Sequence, residues 1–143
     1  VDDSIVRGTT CSQIIEMARD ACAQKVYFCS AAPAVRFPNV YGIDMPTSEE
    51  LVAYNRTDEE VAEVINADWL VYQDLNDLVE CSRAGNRKIA TFECSVFDGK
   101  YVTGDIDAAY IERVAASRND TSRFGSDSTT RSEASLINVH NDV

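Results

Sequence analysis

Two short apolar runs, each joined to a helical pattern, most constrain the fold of this 143-residue chain. Residues 25–31 and 69–72 are rich in β-branched and aromatic side chains, as expected of short buried parallel strands. Apolar residues recur at helical spacing over about residues 11 to 22, before the first run, and over residues 57–65, before the second. This alternation predicts an α/β fold in which a parallel sheet is flanked by helices.

The segments between and after these elements carry clear turn and capping signals. Prolines bracket a loop over residues 33–46, and the sequences at 47–50 and 57–60 are capping boxes that each open a short helix. Apolar spacing from Leu75, followed by Gly85, predicts another helix.

The last third of the chain is expected to be less regular. Residues 89–103 alternate weakly around Asp98-Gly99, which predicts a hairpin. We expect Asp105 to cap a helix that runs to about Arg118. The composition then turns polar, so we divide the chain into residues 1–118 and a disordered tail, residues 119–143.

The charge balance excludes several kinds of partner. The chain has 24 acidic and 13 basic residues, a formal net charge of −11, and this charge repels nucleic acid and anionic membranes. A helix-turn-helix reading of residues 47–65 is rejected for the same reason. No run is long and apolar enough for a membrane span, and no signal peptide opens the chain, so we expect a soluble, cytoplasmic protein.

The cysteines do not have the spacing of a zinc site. There are five, no pair is separated by two residues, and the single histidine, His140, lies in the polar tail. We expect reduced thiols, with Cys22 and Cys29 filling the core.

The chain begins on what reads as a loop. Residues 2–10 lead into a helix, and such a loop in an α/β sheet follows a strand, of which only Val1 remains. We therefore expect the chain to be the C-terminal part of a longer protein. Alone, it should expose apolar sheet surface and aggregate.

The same segment has the composition of a phosphate site. A helix N-terminus presents unpaired N–H groups and the positive end of the helix dipole. Gly8 allows close approach of a phosphate, Ser4, Thr9 and Thr10 offer hydroxyl donors, and Arg7 offers a charged donor.

Two adjacent carboxylates precede this loop. Asp2 and Asp3 can accept hydrogen bonds from sugar hydroxyls or hold Mg²⁺. An acid pair or a Thr-Thr pair alone is ordinary helix-cap material. The coincidence of acid pair, glycine and hydroxyls in this order instead favours a ribose 5-phosphate site at the carboxyl end of a parallel strand.

Residues 1–10 resemble the phosphoribosyl pyrophosphate (PRPP) motif of type I phosphoribosyltransferases, and more closely its form in amidophosphoribosyltransferases. The resemblance covers about residues 1 to 118, and residues 53–61 are similar to fungal members in particular. Further matching segments are residues 14–19, 25–28, 30–33, 39–46, 73–75 and 92–97. The resemblance implies a type I phosphoribosyltransferase fold, incomplete at the N-terminus, with C-terminal helices.

The implied activity is the first committed step of de novo purine synthesis. PRPP, glutamine and water give 5-phosphoribosylamine, pyrophosphate and glutamate. By resemblance, Asp2 and Asp3 bind the ribose hydroxyls and Mg²⁺, and residues 4–10 hold the 5-phosphate. Asp44 and Leu51 are candidates for the ammonia channel and domain interface.

The resemblance also implies what this chain lacks. The family's glutaminase nucleophile, pyrophosphate loop and PRPP-closing loop lie before residue 1, so no catalytic residue is assigned and the chain alone is expected to be inactive. Ammonia from glutamine, inhibitory purine nucleotides and a homo-oligomeric partner are implied.

Three positions depart from the family. Cys22 stands where relatives have glycine, Cys11 where they have serine, and Asn39 where some have an iron–sulfur ligand, so no cluster is expected.

The alternative function is a regulatory module that senses PRPP or nucleotides without catalysis, because recognition does not require turnover.

Overall fold

The structure, a computed structural model, describes residues 1–43, 45–107 and 109–116. It contains two strands and several short helices. In chain order these are α1 (Thr9–Asp20), β1 (Tyr27–Ser30), a 3-10 turn (Ser48–Glu50), α2 (Asp58–Val64), β2 (Trp69–Tyr72), α3 (Leu75–Ala84) and α4 (Ser95–Asp98). The first compact unit spans Val1–Asp105, and in the second, which begins at Ile106, residues 109–116 are helical.

The predicted parallel sheet is confirmed. β1 and β2 pair in parallel from Tyr27 opposite Trp69 to Ser30 opposite Tyr72. Asp2 adds a parallel bridge on the other side of β1: its N–H donates to the Cys29 carbonyl at 2.9 Å, and the Ala31 N–H donates to the Asp2 carbonyl at 2.8 Å. The backbone entering the acid pair is therefore strand-like, with β1 in the middle.

Helices α1 and α2 cover one face of this sheet. Ile15 of α1 and Ile65, just after α2, are fully buried with Phe28 of β1 and Leu70 of β2. The buried strand positions alternate with exposed ones, as the twofold period of a strand requires. The core thus lies between the helices and one sheet face, directly behind the loop of residues 4–8.

The opposite sheet face is apolar and uncovered among the described residues. Tyr27 and Trp69 are 59% and 61% exposed, and their rings make an edge contact with centroids 6.0 Å apart. Val71 lies on the same face and is 40% exposed. Such a surface favours self-association.

We expect the double variant Trp69→Lys/Val71→Thr of the chain alone to self-associate less than the unchanged chain. Both side chains already face solvent, so the changes remove apolar contact area without opening the core. Sedimentation velocity over a concentration series measures this effect. Equal self-association of both chains would show that the exposed face is not responsible.

The end of α1 explains one sequence departure. Cys22 has φ 68°, the left-handed conformation that favours glycine. Its N–H donates to the Arg19 carbonyl at 2.8 Å, and the Ala23 N–H donates to the Ala18 carbonyl at 3.0 Å. This is the Schellman arrangement that ends many helices.

Cys22→Gly should therefore stabilise the fold by about 1 kcal/mol, because glycine adopts this conformation without the Cβ penalty. Urea unfolding measures the change. Cys81→Gly serves as the control, since Cys81 is also exposed but lies within α3, where glycine should destabilise. A less stable Cys22→Gly protein would contradict the assignment.

Several predictions about local structure are wrong. Residues 89–103 form no hairpin: Ser95–Asp98 is a helical turn ended by Gly99 at φ 72°, because a left-handed glycine after aspartate serves a helix end as readily as a hairpin. In the second unit, the Asp107 carboxylate, rather than Asp105, accepts the Tyr110 N–H at 2.7 Å.

The cysteine assignments also need correction, while the tail is untested. All five cysteines are free, but Cys22 is exposed and Cys29 only partly buried, so neither fills the core; Cys11 is the buried one. Cys22 is excluded from the core because it belongs to the turn after α1. The predicted tail, residues 119–143, lies outside the described residues.

Candidate functional site

The site lies at the carboxyl edge of the sheet. Asp2 is level with Ser30, the last residue of β1, which is level with Tyr72, the last residue of β2. Open α/β sheets bind ligands at this edge. Asp3 follows at the point where the chain leaves the sheet, so the structure places the acid pair where the sequence predicts it.

The acid pair is held by the backbone that follows it. The Asp3 N–H donates to Asp2 Oδ1 at 3.0 Å, and the Ser4 N–H donates to Asp3 Oδ1 at 2.8 Å. Asp3 is exposed and Asp2 is half-buried. The two carboxylates are therefore fixed in direction while one of them faces solvent.

A buried thiol lies beneath Asp2. Cys11 is 3% exposed, and its Sγ is 4.0 Å from Asp2 Oδ2. Burial, followed by the charge of Asp2, raises the pKa of the Cys11 thiol. The thiol therefore stays protonated at neutral pH and donates a weak hydrogen bond to the carboxylate.

Gly8 connects the acid pair to α1. It is the N-cap of α1, with φ 81°, and the first helical N–H bond is that of Ser12 to the Gly8 carbonyl at 2.9 Å. Thr9 and Thr10 lie inside the first turn and are exposed, so the prediction that one of them caps the helix is wrong. The N–H groups of the first turn have no acceptor within the helix, as a phosphate site requires.

The loop of residues 4–8 rests on two buried side chains, Val52 and Ile65, which sequence reasoning did not predict and which we call the platform. A Cβ at Gly8 would lie 3.1 Å from both Val52 Cγ2 and Ile65 Cγ2. The Val52 N–H donates to the Val6 carbonyl at 2.8 Å, and Ile5 is 1% exposed. The loop backbone is therefore held from below by the segment after the 3-10 turn.

The remaining predicted residues are placed as follows. Ser4 is half-buried, and Arg7 is exposed and pairs with Glu50 at 3.2 Å rather than with its own loop. Leu51 is fully buried, and Asp44 lies outside the described residues. Asn39 is buried, and its Oδ1 accepts the N–H groups of Tyr41 at 2.8 Å and Ile43 at 3.3 Å.

Tyr72, level with the acid pair, was missed by sequence reasoning. Its hydroxyl is buried and has no hydrogen-bond partner among the described residues. Burial, followed by the charge of Asp58, raises the pKa of Tyr72 to about 12. The folded state thus holds the phenol proton more tightly than an unfolded chain, in which the pKa is about 10.

We expect Tyr72→Phe to be as stable as the unchanged chain at pH 7 or more stable by about 1 kcal/mol, since it removes an unpartnered buried hydroxyl. The advantage should grow between pH 10 and about 12, because the tyrosine chain loses stability as its unfolded state ionises. Chemical unfolding at pH 7 and pH 11 measures both effects. An advantage that shrinks at the higher pH would contradict the burial of this hydroxyl.

The described residues offer neither a clustered metal site nor a membrane span. They hold no group of three or more histidine, cysteine or acidic side chains able to hold a metal. They also include no helix of the length and apolarity needed to cross a membrane.

A parallel sheet with an acid pair, a left-handed glycine and a helix N-terminus at its carboxyl edge matches part of the type I phosphoribosyltransferase fold. Solved structures agree. Glutamine PRPP amidotransferase from B. subtilis, complexed with ADP and GMP, superposes with a TM-score of 0.59 at 34% identity, covering 76% of this chain and 25% of that one. A structure described as the allosteric regulatory enzyme of purine biosynthesis gives 0.57 at 36% identity, with 71% and 22% covered.

Sequence comparison identifies the particular relatives. The amidophosphoribosyltransferase of Pseudomonas aeruginosa is 58% identical over 142 residues, 99% of this chain and 28% of the relative. That of Escherichia coli is 53% identical over the same shares, and that of Saccharomyces cerevisiae is 48% identical over 96% of this chain and 26% of the relative. No family model matches.

These matches confirm that the chain is similar to amidophosphoribosyltransferases over nearly its whole length. It spans 28% or less of these three relatives. Whole-chain identity is higher to the two bacterial proteins than to the yeast protein, so it does not favour the fungal likeness expected from residues 53–61.

Proposed function

We propose that this chain supplies the PRPP-binding part of an amidophosphoribosyltransferase, an enzyme that forms 5-phosphoribosylamine in purine synthesis. The observation that carries the proposal is the placement of Asp2, Asp3 and Gly8 at one sheet edge, in a chain 58% identical to such an enzyme. A regulatory module would also place these residues at the sheet edge, but the 58% sequence identity is to an enzyme and therefore favours the enzyme.

The residues have separate roles in this proposal. Asp2 and Asp3 accept hydrogen bonds from the ribose hydroxyls, and the first-turn N–H groups after Gly8 bind the 5-phosphate. Ser4, Thr9 and Thr10 add hydroxyl donors. Arg7 reaches the phosphate by exchanging Glu50, an inexpensive exchange because the ion pair is solvent-exposed.

The reaction is a substitution at the anomeric carbon. The nitrogen lone pair of ammonia forms the new C–N bond, and the C–O bond to pyrophosphate breaks, with its electron pair leaving on pyrophosphate. The new C–NH3⁺ group then loses one proton to pyrophosphate or water and becomes the amine. The sugar passes through an oxocarbenium-like state, which a preorganised ribose and phosphate hold in line for attack. The described residues orient the sugar, so no catalytic residue is assigned here.

The acid pair fits Mg²⁺ in its usual mode. Protein sites commonly hold this ion by one or two carboxylates together with substrate oxygens and waters. Asp3 is exposed next to Asp2. When bound there, Mg²⁺ supplies positive charge that favours pyrophosphate departure.

The proposal includes the partners of the reaction. Ammonia comes from glutamine, purine nucleotides compete at the phosphate site, and the enzyme works as a cytoplasmic homo-oligomer. The B. subtilis structure described above is a complex with ADP and GMP. Leu51, fully buried beside the platform residue Val52, and Asp44 are proposed to couple ammonia delivery to PRPP binding.

The test is an assay of the full-length gene product with glutamine, Mg²⁺ and PRPP. We expect pyrophosphate release that requires all three and stops on chelation by EDTA. PRPP binding without pyrophosphate release, at saturating glutamine or ammonia, would support the regulatory alternative and contradict the enzyme. Ammonium chloride in place of glutamine separates a defect in glutamine hydrolysis from one in phosphoribosyl transfer.

A further inference from the structure

Arg36 lies outside the phosphate loop, yet its guanidinium holds the platform on which the loop rests. Its Nη1 donates to the Ala53 carbonyl at 2.8 Å and to the Arg56 carbonyl, and its Nη2 donates to Asp58 Oδ1 at 2.8 Å. The side chain is 31% exposed. One residue thus ties together the turn that joins the 3-10 segment to α2.

This turn reaches the phosphate loop through buried contacts. Ala53 is fully buried, and its neighbour Val52 donates its N–H to the Val6 carbonyl at 2.8 Å. Val52 also meets the Gly8 backbone, where an added Cβ would be only 3.1 Å from its Cγ2. The path from the guanidinium to the loop therefore passes through short contacts, with Ala53 and Val52 buried along it.

Without Arg36, the buried Ala53 carbonyl loses its short bond at 2.8 Å and keeps only the long one from the Arg56 N–H at 3.4 Å. A buried carbonyl left with one long hydrogen bond is poorly satisfied, so the turn would shift to shorten that bond or to find water or another donor. Because Val52 follows that movement, the loop backbone from Val6 to Gly8 would move with it. Small displacements of positioning groups are known to weaken ligand use strongly.

We propose that Arg36 is a positioning residue for the 5-phosphate loop. It acts through the Ala53 and Arg56 carbonyls and does not touch the substrate. The inference rests on the proposed function. A lysine cannot replace it, since both carbonyls are bound by Nη1 at the end of the guanidinium, and the ammonium of lysine lies on a side chain one bond shorter and has no second nitrogen for Asp58.

The experiment measures steady-state kinetics of the full-length gene product and its Arg36→Lys and Arg36→Met variants. We expect the KM for PRPP to rise about tenfold in Arg36→Lys and further in Arg36→Met, with a smaller change in kcat. A merely destabilised enzyme loses folded molecules, which lowers the apparent kcat and leaves KM unchanged.

Arg19→Lys is the matched control. Arg19 has a similar exposure, 32%, and also pairs with a carbonyl and a carboxylate, those of Asn66 and Asp68, but at the amino end of the strands. The KM of the Arg19→Lys enzyme for PRPP should stay within about twofold of that of the unchanged enzyme. Asp58→Asn should do the same, because both carbonyl contacts of Arg36 remain.

An unchanged KM in Arg36→Lys, or an equal rise in Arg19→Lys or Asp58→Asn, would overturn the positioning role. Absence of PRPP-dependent pyrophosphate release in the unchanged enzyme would instead overturn the proposed function. The two failures are therefore distinguishable.

Discussion

Asp2→Asn and Asp3→Asn, made singly in the full-length gene product, should each lower Mg²⁺-dependent formation of phosphoribosylamine by about 100-fold or more, because each change removes a charge that we propose orients ribose and metal. The backbone geometry should survive, since an asparagine Oδ1 can still accept the N–H that each carboxylate now receives. Under the proposed function, basal hydrolysis of glutamine should remain largely intact, because Asp2 and Asp3 are proposed to bind PRPP and not glutamine.

Asp20→Asn is the control for the loss of one negative charge. Asp20 is exposed and ends α1, at the opposite end of the helix from Gly8. Its activity should match that of the unchanged enzyme. If both acid-pair variants made phosphoribosylamine at the normal rate, the assigned role of Asp2 and Asp3 would be wrong.

Gly8→Ala should reduce PRPP use by about 100-fold or more, because two independent costs fall on the loop that we propose binds the 5-phosphate. The backbone has φ 81°, which alanine adopts only with strain. The new methyl would also lie 3.1 Å from Val52 and Ile65, both buried, so the loop must lift away from its platform. Pyrophosphate release across a range of PRPP concentrations measures the loss.

Gly104→Ala separates the two costs. Gly104 has φ 72° and nothing within 4 Å of an added Cβ, so it carries the strain without the clash. The Gly104→Ala enzyme should be less stable by about 1 kcal/mol and should keep its affinity for PRPP. If Gly8→Ala behaved like this control, the close packing of the loop against Val52 would have no role in binding.

The parts of the fold that sequence predicts well are those set by local rules. The strand Trp69–Tyr72 and the helix from Leu75 follow from residue type and capping, and Thr57 and Glu60 make the predicted capping box, with Thr57 N–H to Glu60 Oε2 at 2.7 Å. The acid pair and Gly8 were found because the phosphate motif is contiguous along the chain. Such signals depend on neighbours within a few residues.

A sequence pattern that occurs in two kinds of local structure led to a wrong prediction. An Asp-Gly pair serves a hairpin or a helix end, and Asp98-Gly99 takes the second role. Contacts between distant residues gave no signal at all. Nothing near Arg36 in sequence indicates that it binds the Ala53 carbonyl, and nothing near Tyr72 indicates that its hydroxyl is buried without a partner.

The most direct test of the central claim is a crystal structure of the full-length gene product with Mg²⁺ and PRPP. We predict the ribose hydroxyls within hydrogen-bond distance of the Asp2 and Asp3 carboxylates, and the 5-phosphate on the first-turn N–H groups after Gly8. PRPP bound elsewhere, with its 5-phosphate away from the Gly8 loop, would contradict the account.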